Sequence, residues 1–298
     1  MAQKKPRFSV SPRAFHELEG WLYVLPSVLL SVSLVLIPVI LTFLLGFTSW
    51  SGLGLPRWIG FGNFKHLFAS STFWEALFNN VKWTIIFLIV PIFLGLLVSA
   101  ALLRTVRLRF LQTVFLIPYI LPTVIQARLW QGMIFNPESG VFGWLAKHGL
   151  KITDPLITTG GSLYGIAIVN IWAWWGFLTV VFFASMRQVD EELLDAARVE
   201  GTNFWQEFRY ILIPQVRPTL MFMMIMTVVW SFLVFDYVFI LTGGGPADSS
   251  QVLATLAYQY GFQEFDFGKA ASVSAFTGII GMGVIVLYLW MQRRGFEI

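Results

Sequence analysis

The sequence predicts an all-α integral membrane fold with six transmembrane helices. The chain is 57% hydrophobic, only 12% of its residues are charged, and its mean hydropathy is +0.72. A soluble domain carries about 25% charged residues, so this composition requires surrounding lipid. Six apolar segments also reach the length of roughly 20 residues that a helix needs to cross a bilayer.

The six predicted spans are residues 21–46, 82–103, 110–134, 163–186, 218–241 and 270–292. The first three contain the prolines at positions 26, 38, 91, 118 and 122. Proline inside a helix in water costs about 3 kcal/mol, but neighbouring helices in a membrane can satisfy the carbonyl groups that it frees. We therefore expect these prolines to mark kinks and not helix ends.

Residues 1–20 are predicted to form a basic cytoplasmic tail ahead of a membrane domain over residues 21–298. The apolar stretch that follows the tail is longer than the roughly 7–15 residues of a signal-peptide core, and no small-residue cleavage site closes it. We therefore expect an uncleaved first span. Neither an internal repeat nor a low-complexity linker divides the rest of the chain.

Basic residues are distributed unevenly between the two sides of the predicted membrane. Thirteen lie in the tail, in loops 104–109 and 187–217 and at the C-terminus, against six in the other loops. The positive-inside rule then predicts that both termini are cytoplasmic and that loops 47–81, 135–162 and 242–269 face outward. The net charge of +4 is thus a topology signal and does not indicate binding to nucleic acid.

Composition also excludes several kinds of chemistry. The chain has no cysteine, which excludes disulfides and thiolate nucleophiles, and His16, His66 and His148 are too far apart in sequence to form a metal-ligand motif. No GxxxxGK[ST] phosphate-binding loop is present, so we do not expect the chain itself to hydrolyse ATP. A membrane enzyme would need a catalytic cluster inside the spans, where no histidine lies.

The loop over residues 187–217 is predicted to form two short helices joined by a glycine turn. Asp190 suits an N-cap and is followed by two glutamates in the first helical turn, where the helix dipole favours negative charge. Gly201 suits a left-handed C-cap, and Asn203 with Gln206 suits a capping box. An alanine pair gives the first helix a small face that a partner can approach closely.

The same loop contains Asp195-Ala196-Ala197, then three residues, Gly201, nine residues, and a segment that begins at Ile211 and ends at Pro214. This spacing resembles the EAA loop of permease subunits of ABC importers, with Asp in place of Glu at the first position. The resemblance implies a type I importer permease fold. It also implies that the loop is a coupling segment that docks into a cleft of an ATPase subunit. The coupling residues would be Asp195, Ala196, Ala197, Gly201, Ile211 and Pro214.

An alternative is a helix that only lies on the membrane surface. Such helices are usually rich in Lys and Arg, whereas this loop carries five acidic residues between positions 190 and 200 against Arg198 alone. Anionic lipid would repel it, which favours the coupling interpretation.

The segment Leu241-Thr-Gly-Gly-Gly-Pro246 follows the fifth predicted span. At this distance from the loop it resembles the turn of maltose-type, MalF-like permeases, which serve carbohydrate and glycerol-phosphate importers. A generic glycine-rich turn is the alternative. The large external insertion and extra spans of the maltose member are not present here.

Aromatic residues in the fourth span suit a carbohydrate, because sugar C–H faces stack on aromatic rings. Span four carries Asn170 and three tryptophans. The resemblance places solute contacts at Trp172, Ala173, Trp174, Phe177, Thr227, Trp230, Ser231 and Val234. The last two replace asparagines of the maltose permease, so a less polar site is expected. Tryptophan facing lipid at the membrane interface is the alternative for each of the three.

Two ionisable residues lie inside predicted spans, Arg128 in the third and Asp236 in the fifth. At about 1.5 Å per residue they sit at similar depths near the outer face. A charge in lipid is costly unless it is paired or hydrated. We expect Arg128 and Asp236 either to pair or to line the outer mouth of a pathway; separate snorkelling to the interface is the alternative.

The resemblance implies an assembly in a bacterial cytoplasmic membrane. A second, distinct permease subunit would complete the pathway, and two ATPase subunits would bind ATP and Mg²⁺. A periplasmic or lipid-anchored binding protein would deliver a sugar or oligosaccharide, and the chain itself would hold no cofactor or metal. Import of a non-sugar solute such as glycerol phosphate or a polyamine is an alternative. A secondary transporter is less favoured, since it would show inverted repeats and paired intramembrane acids.

Overall fold

A computed structural model of the chain describes residues 12–105, 108–150 and 152–293. Basic positions 4, 5, 7, 107, 151 and 294, which entered the topology count, lie outside these ranges. The described residues are largely helical, as predicted, and also contain a small antiparallel strand pair, β1 (Thr48–Ser49) with β2 (Arg57–Trp58). The first helix begins at Pro12, inside the predicted tail.

The helices, in chain order, are α1 Pro12–Ser31, α2 Ile37–Leu45, α3 Gly62–Ala69, α4 Ser71–Leu102, α5 Leu108–Ile120, α6 Thr123–Leu129, α7 Val141–Lys147, α8 Ser162–Met186, α9 Glu191–Val199, α10 Phe204–Glu207, α11 Ile213–Gln215, α12 Arg217–Phe232, α13 Asp236–Leu241, α14 Leu253–Tyr258 and α15 Phe267–Arg293. Wider π-helical turns occupy Val32–Leu36, Trp130–Phe135, Phe208–Leu212 and Gln259–Gln263, and a 3-10 turn occupies Pro155–Ile157.

Four helices are long and apolar enough to cross a membrane on their own: Gly20–Leu45, Ser71–Leu102, Ser162–Met186 and Phe267–Trp290. They confirm the predicted first, second, fourth and sixth spans. The second begins at Ser71 and not at residue 82, because the Ser70 hydroxyl caps the helix by accepting from the Phe73 amide at 3.4 Å.

The third predicted span, 110–134, is not one kinked helix. Helix α5 ends at Ile120 and α6 begins at Thr123, and the two meet at 96°. Pro122 has no amide hydrogen, and its ring disfavours helical geometry at the preceding residue. The expectation of a kink is therefore wrong at Pro122, whereas the helices continue through Pro26, Pro91 and Pro118.

The fifth predicted span, 218–241, is also interrupted. Helix α12 ends at Phe232, and the separate helix α13 starts at Asp236. At its other end, α12 meets the segment Phe204–Gln215 at 75°. Length and hydropathy thus give four spans, or six when each of the two bent pairs, 110–135 and 204–232, counts as one.

Helices α4 and α8 pack against each other through small residues in the middle of the bundle. A Cβ added at Gly95 would lie 2.8 Å from the Leu178 Cβ, and the Ser99 hydroxyl donates to the Thr179 carbonyl at 2.7 Å. On another face of α8, a Cβ at Gly176 would collide with the Phe115 carbonyl oxygen of α5. Such close packing is what holds helices together in lipid, where no hydrophobic force brings them together.

The loops predicted to face outward are themselves folded. A buried apolar cluster that includes Leu67, Phe73 and Leu253 lies between α3, α14 and the first turns of α4 and α15. The buried Asn79 amide donates to the carbonyls of Ser249 (3.0 Å) and Gln251 (2.9 Å), which fixes the segment after α13 on α4. This end of the bundle lies opposite to residues 187–217.

Candidate functional site

A cavity of about 590 Å³ opens among α4, α8, α12 and the two interrupted spans. Its wall combines aromatic rings with amide and hydroxyl groups. The lining residues are Trp83, Phe87, Tyr119, Leu121, Thr123, Gln126, Asn170, Ala173, Trp174, Thr227, Trp230, Ser231, Leu233, Val234, Phe235, Asp236 and Tyr237.

The break in the third span forms one side of this cavity. Because Pro122 has no amide hydrogen, the Pro118 carbonyl loses its helical partner. The Gln126 side chain, which is 2% exposed, replaces that partner by donating to the carbonyls of Pro118 (2.9 Å) and Leu121 (2.7 Å). A single buried amide therefore supplies hydrogen bonds to two of the backbone carbonyls at the break.

The break in the fifth span is stabilised in a similar way by α4. The fully buried Asn80 amide donates to the Ser231 carbonyl at 2.7 Å. Its side-chain oxygen accepts from the Leu253 amide at 2.9 Å. Asn80 thus ties the end of α12 both to α4 and to the start of α14.

A hydrogen bond joins the two breaks directly: the Tyr237 hydroxyl donates to the Gln126 side-chain oxygen at 2.7 Å. Irregular backbone inside a membrane is stable only where protein buries it or where it lines a cavity. Interrupted helices of this kind also surround solute sites in transporters. The cavity is therefore built at the junction of two broken spans.

Six of the eight solute contacts expected from the sequence line the cavity: Ala173, Trp174, Thr227, Trp230, Ser231 and Val234. Trp172 and Phe177 do not. The Trp172 and Trp130 ring centroids are 5.9 Å apart in an edge-on contact away from the lining, and Phe177 stacks on the lining residue Tyr119 with ring centroids 4.6 Å apart. The rings of Trp174 and Trp230 are packed edge-to-face, with their centroids 4.8 Å apart.

Two polar atoms at the wall are buried without a hydrogen-bond partner in the described part of the chain: the Trp174 Nε1 and the Thr227 Oγ1. A buried polar group left unpaired costs about 1–3 kcal/mol. Both atoms are shielded by neighbouring protein atoms in this conformation, so a solute hydroxyl would pair with them only after the Trp174 or Thr227 side chain moves.

Other lining residues were not identified from the sequence as site residues. Trp83 and Phe87 are one turn apart on α4 and stack at 4.9 Å. The roles of Gln126 and Tyr237 depend on two helix breaks that hydropathy does not reveal. One signal was available: a proline at position 122 leaves the carbonyl four residues earlier without a partner, and a polar side chain nearby is then expected.

Arg128 and Asp236 are not paired. Arg128 is exposed and donates to the Gln131 side-chain oxygen at 3.1 Å, whereas Asp236 lines the cavity at the start of α13. The ion pairs found within residues 12–105, 108–150 and 152–293 do not join them. The sequence argument for equal depth assumed a straight third span, and the 96° bend removes that assumption.

At the other end of the bundle, residues 190–215 form a helical hairpin. Asp190 caps α9 by accepting from the Glu192 amide at 2.9 Å, as predicted. Gly201 has φ +82°, which is the left-handed conformation expected of the turn. The predicted capping box is also present: the Gln206 amide donates to Asn203 Oδ1 at 3.0 Å, and the Asn203 amide donates to Gln206 Oε1 at 2.8 Å.

The hairpin presents an acidic, small-residue surface. Asp195 and Ala196 are exposed and Ala197 is half-buried, while Leu194 packs into an apolar cluster with Met186 and Leu212 at the base of the bundle. Two other residues of the EAA-like pattern lie on the second arm, where Ile211 packs against this cluster and Pro214 is exposed.

A buried carboxylate holds the hairpin to the bundle. Glu207 is 3% exposed, and its Oε2 lies 2.6 Å from Arg104 Nη2, just beyond the end of α4. Its Oε1 lies 3.6 Å from the Arg198 Nε on the first arm, and Arg198 also contacts Asp195 at 2.9 Å. One side chain thus connects both arms of the hairpin to a membrane span.

Replacing Asn80 by alanine is expected to lower the free energy of unfolding by about 2–4 kcal/mol. The Ser231 carbonyl and the Leu253 amide would both lose a buried partner. Thermal unfolding of the purified protein in detergent measures the effect. Ser274→Ala is a matched control because that hydroxyl is exposed and bonds within its own helix, to the Ala270 carbonyl. Equal unfolding temperatures for the two variants would show that Asn80 does not hold the break.

A family profile matches residues 91–294 of this chain; it is described as "Binding-protein-dependent transport system inner membrane component". The match covers both breaks of the cavity and the hairpin. It begins after Trp83 and Phe87, the two lining aromatics of α4.

Full-length relatives and solved structures are also similar. A probable ABC transporter permease protein of Pyrococcus horikoshii is 31% identical, and the match covers 93% of this chain and 96% of that protein. The trehalose/maltose transport system permease protein MalF of Thermococcus litoralis is 27% identical over 92% and 93%. The crystal structure of a bacterial ABC transporter that imports the acidic polysaccharide alginate contains a chain with a TM-score of 0.83 at 23% identity, covering 95% of this chain and 99% of that one.

The structure and the profile therefore agree on a multi-pass membrane protein with an importer-permease fold. Because the profile match spans more than half of the sequence, this chain belongs to the family of binding-protein-dependent transport system inner membrane components.

Proposed function

We propose that the chain is a permease subunit of an ATP-driven carbohydrate importer and that the cavity at the two helix breaks is its solute site. The observation that carries this assignment is the composition of the cavity wall. Aromatic rings from α4, α8 and α12 surround side-chain amides and hydroxyls. A sugar presents the complementary surface, with apolar C–H faces for the rings and hydroxyl groups for the polar side chains.

The polar side chains of the cavity wall favour a hydroxylated solute over an apolar one. Asn170 and Ser231 share the lining with the aromatic rings and offer an amide and a hydroxyl group. The relative from Thermococcus litoralis is named for trehalose and maltose, and the alginate importer moves a polysaccharide. These names support carbohydrate as the solute class.

We further propose that the hairpin faces the cytoplasm and docks on an ATPase subunit. The excess of basic residues on that side of the spans supports this orientation. A second, distinct permease subunit would complete the pathway, and two ATPase subunits would bind ATP and Mg²⁺. An external binding protein would deliver the solute, and this chain would carry out no hydrolysis itself.

The cavity's role can be tested by replacing Trp174 with alanine in the complete importer, reconstituted in liposomes with its binding protein. Uptake of the transported sugar is expected to fall at least about tenfold, because buried aromatic anchors commonly contribute 2 kcal/mol or more to binding. Trp174→Phe should lie between the alanine variant and the wild type, since it keeps one aromatic ring but loses the N–H donor and the rest of the indole.

Trp144→Ala is the matched control. Trp144 is 58% exposed on the short helix α7 and lies outside the cavity lining. Assembly of all variants is checked by co-purification of the ATPase subunit. If Trp174→Ala imported sugar as rapidly as Trp144→Ala, the cavity would not be the solute site.

A further inference from the structure

Building on the carbohydrate function proposed above, we propose that Asp236 makes the cavity select against anionic solutes. The site would accept neutral or amino-bearing saccharides and reject sugars that carry carboxylate or phosphate groups. Asp236 would then be a residue that determines specificity by charge.

The charge inventory of the wall supports this role. Among the residues that line the cavity, Asp236 is the one charged side chain, and lysine, arginine and histidine are absent from that set. The remaining polar groups are neutral amides and hydroxyls. An anionic solute would therefore find no basic side chain of this chain to pair with.

The Asp236 charge is also not neutralised by a neighbour. Asp236 is exposed, and the described residues provide neither an ion pair nor a hydrogen bond to its carboxylate. Arg128, the nearest candidate from the sequence, is hydrogen-bonded to Gln131 and does not line the cavity. Asp236 therefore has no basic neighbour among the described residues that would offset its charge toward a bound solute.

The aromatic rings act in the same direction. The face of an aromatic ring carries negative potential, which attracts cations and disfavours anions. Tyr119, Trp174, Trp230 and Tyr237 all line the cavity together with Asp236. A saccharide ammonium group would gain from the carboxylate and from contact with a ring face, whereas a uronate would be repelled by the carboxylate.

The shared fold alone does not determine whether the cavity accepts or rejects an anionic solute. The structurally similar transporter imports an acidic polysaccharide, yet its chain is only 23% identical to this one. The fold is common to both proteins, and the side chains of the cavity decide which charge is accepted. Asp236 is exposed at the cavity wall, and like charges a few ångströms apart near a protein surface weaken binding by about tenfold or more.

The test uses the complete importer, purified without its binding protein, so that only the membrane site selects the solute. Tryptophan fluorescence is titrated with three trisaccharides: neutral maltotriose, cationic chitotriose in its deacetylated form, and anionic trigalacturonate. We expect trigalacturonate to need at least about a tenfold higher concentration than maltotriose in the wild type.

Asp236→Asn should reduce this difference to less than about threefold and should weaken the binding of the cationic trimer. Glu138→Gln, which removes an exposed acid from the segment before α7, should leave the difference unchanged. Wild-type protein at high ionic strength gives an independent measurement that needs no variant, because salt screens the charge and should narrow the same difference.

Equal binding of maltotriose and trigalacturonate by the wild type would overturn the charge selection alone. The same conclusion would follow if Asp236→Asn and Glu138→Gln kept the same preference. Absence of a response to all three trisaccharides would instead contradict the carbohydrate cavity itself.

Discussion

Replacing Gly201 by valine is expected to reduce ATP-driven uptake at least about tenfold while the subunits still assemble. Gly201 has φ +82°, and an L-residue in this region costs about 1–2 kcal/mol, more for a β-branched side chain. Nothing lies within 4 Å of a Cβ built at this position, so the effect comes from the backbone and not from packing. The turn would open, and α9 would lose its orientation relative to α10.

Gly201→Asn distinguishes an effect of the backbone conformation from an effect of adding any side chain, because asparagine tolerates the left-handed conformation better than other non-glycine residues. We expect that variant to keep most of the uptake. The measurement is sugar uptake into proteoliposomes, together with the amount of ATPase subunit that co-purifies. Wild-type uptake by Gly201→Val would show that the geometry of the turn does not matter for coupling.

Replacing Glu207 by alanine is expected to destabilise the protein by about 1.5–3 kcal/mol and to reduce uptake strongly. The carboxylate is 3% exposed and its Oε2 lies 2.6 Å from Arg104 Nη2, so its removal breaks a charge-assisted hydrogen bond to a guanidinium whose side chain is 43% exposed and stays hydrated. Arg104 also lies over the Phe204 ring at 5.1 Å, which places it in the same contact between α4 and the hairpin. The hairpin would lose its polar attachment to the membrane span.

Glu207→Gln and Glu200→Gln form a matched pair on the same hairpin. Glu200 is exposed, and within the described ranges it forms no ion pair. Its replacement should change stability by no more than about 0.5 kcal/mol. Thermal unfolding and uptake are measured for both variants. Indistinguishable behaviour of the two glutamine variants would contradict a structural role for the buried carboxylate.

The sequence predicted the parts of this fold that depend on composition and local signals. Four spans follow from apolar length, and the caps at Asp190 and Asn203 follow from side chains that bond to nearby amides. The left-handed Gly201 follows from its position after a short helix. In each case the residues that carry the sequence signal belong to the element that they predict or lie next to it.

The breaks that form the cavity could be predicted only in part. Pro122 gave a local signal, although a kink was expected and the helix ends there instead. The interruption after Phe232 falls in an apolar stretch with neither glycine nor proline, so no local signal was present. It depends on Asn80, which is more than 150 positions away in sequence. Contacts over that distance cannot be inferred from hydropathy.

The start of α4 was missed for a related reason. Residues 71–81 include Glu75, Asn79 and Asn80, and these polar side chains placed the segment outside the apolar window. In the structure the two asparagines donate hydrogen bonds to the carbonyls of Ser249, Gln251 and Ser231, so they attach these segments to α4. A polar residue near a span can thus belong to the helix when its partners are backbone groups of other segments.

The bond between the Tyr237 hydroxyl and the Gln126 amide limits how the pathway can open. It couples two half-helices that belong to different spans, so one cannot swing aside without pulling the other or breaking this contact. A hydrogen bond between neutral partners contributes only about 1 kcal/mol net. A hydrogen bond of this strength can hold the two half-helices together in the resting state, and it can also break and form again in every transport cycle.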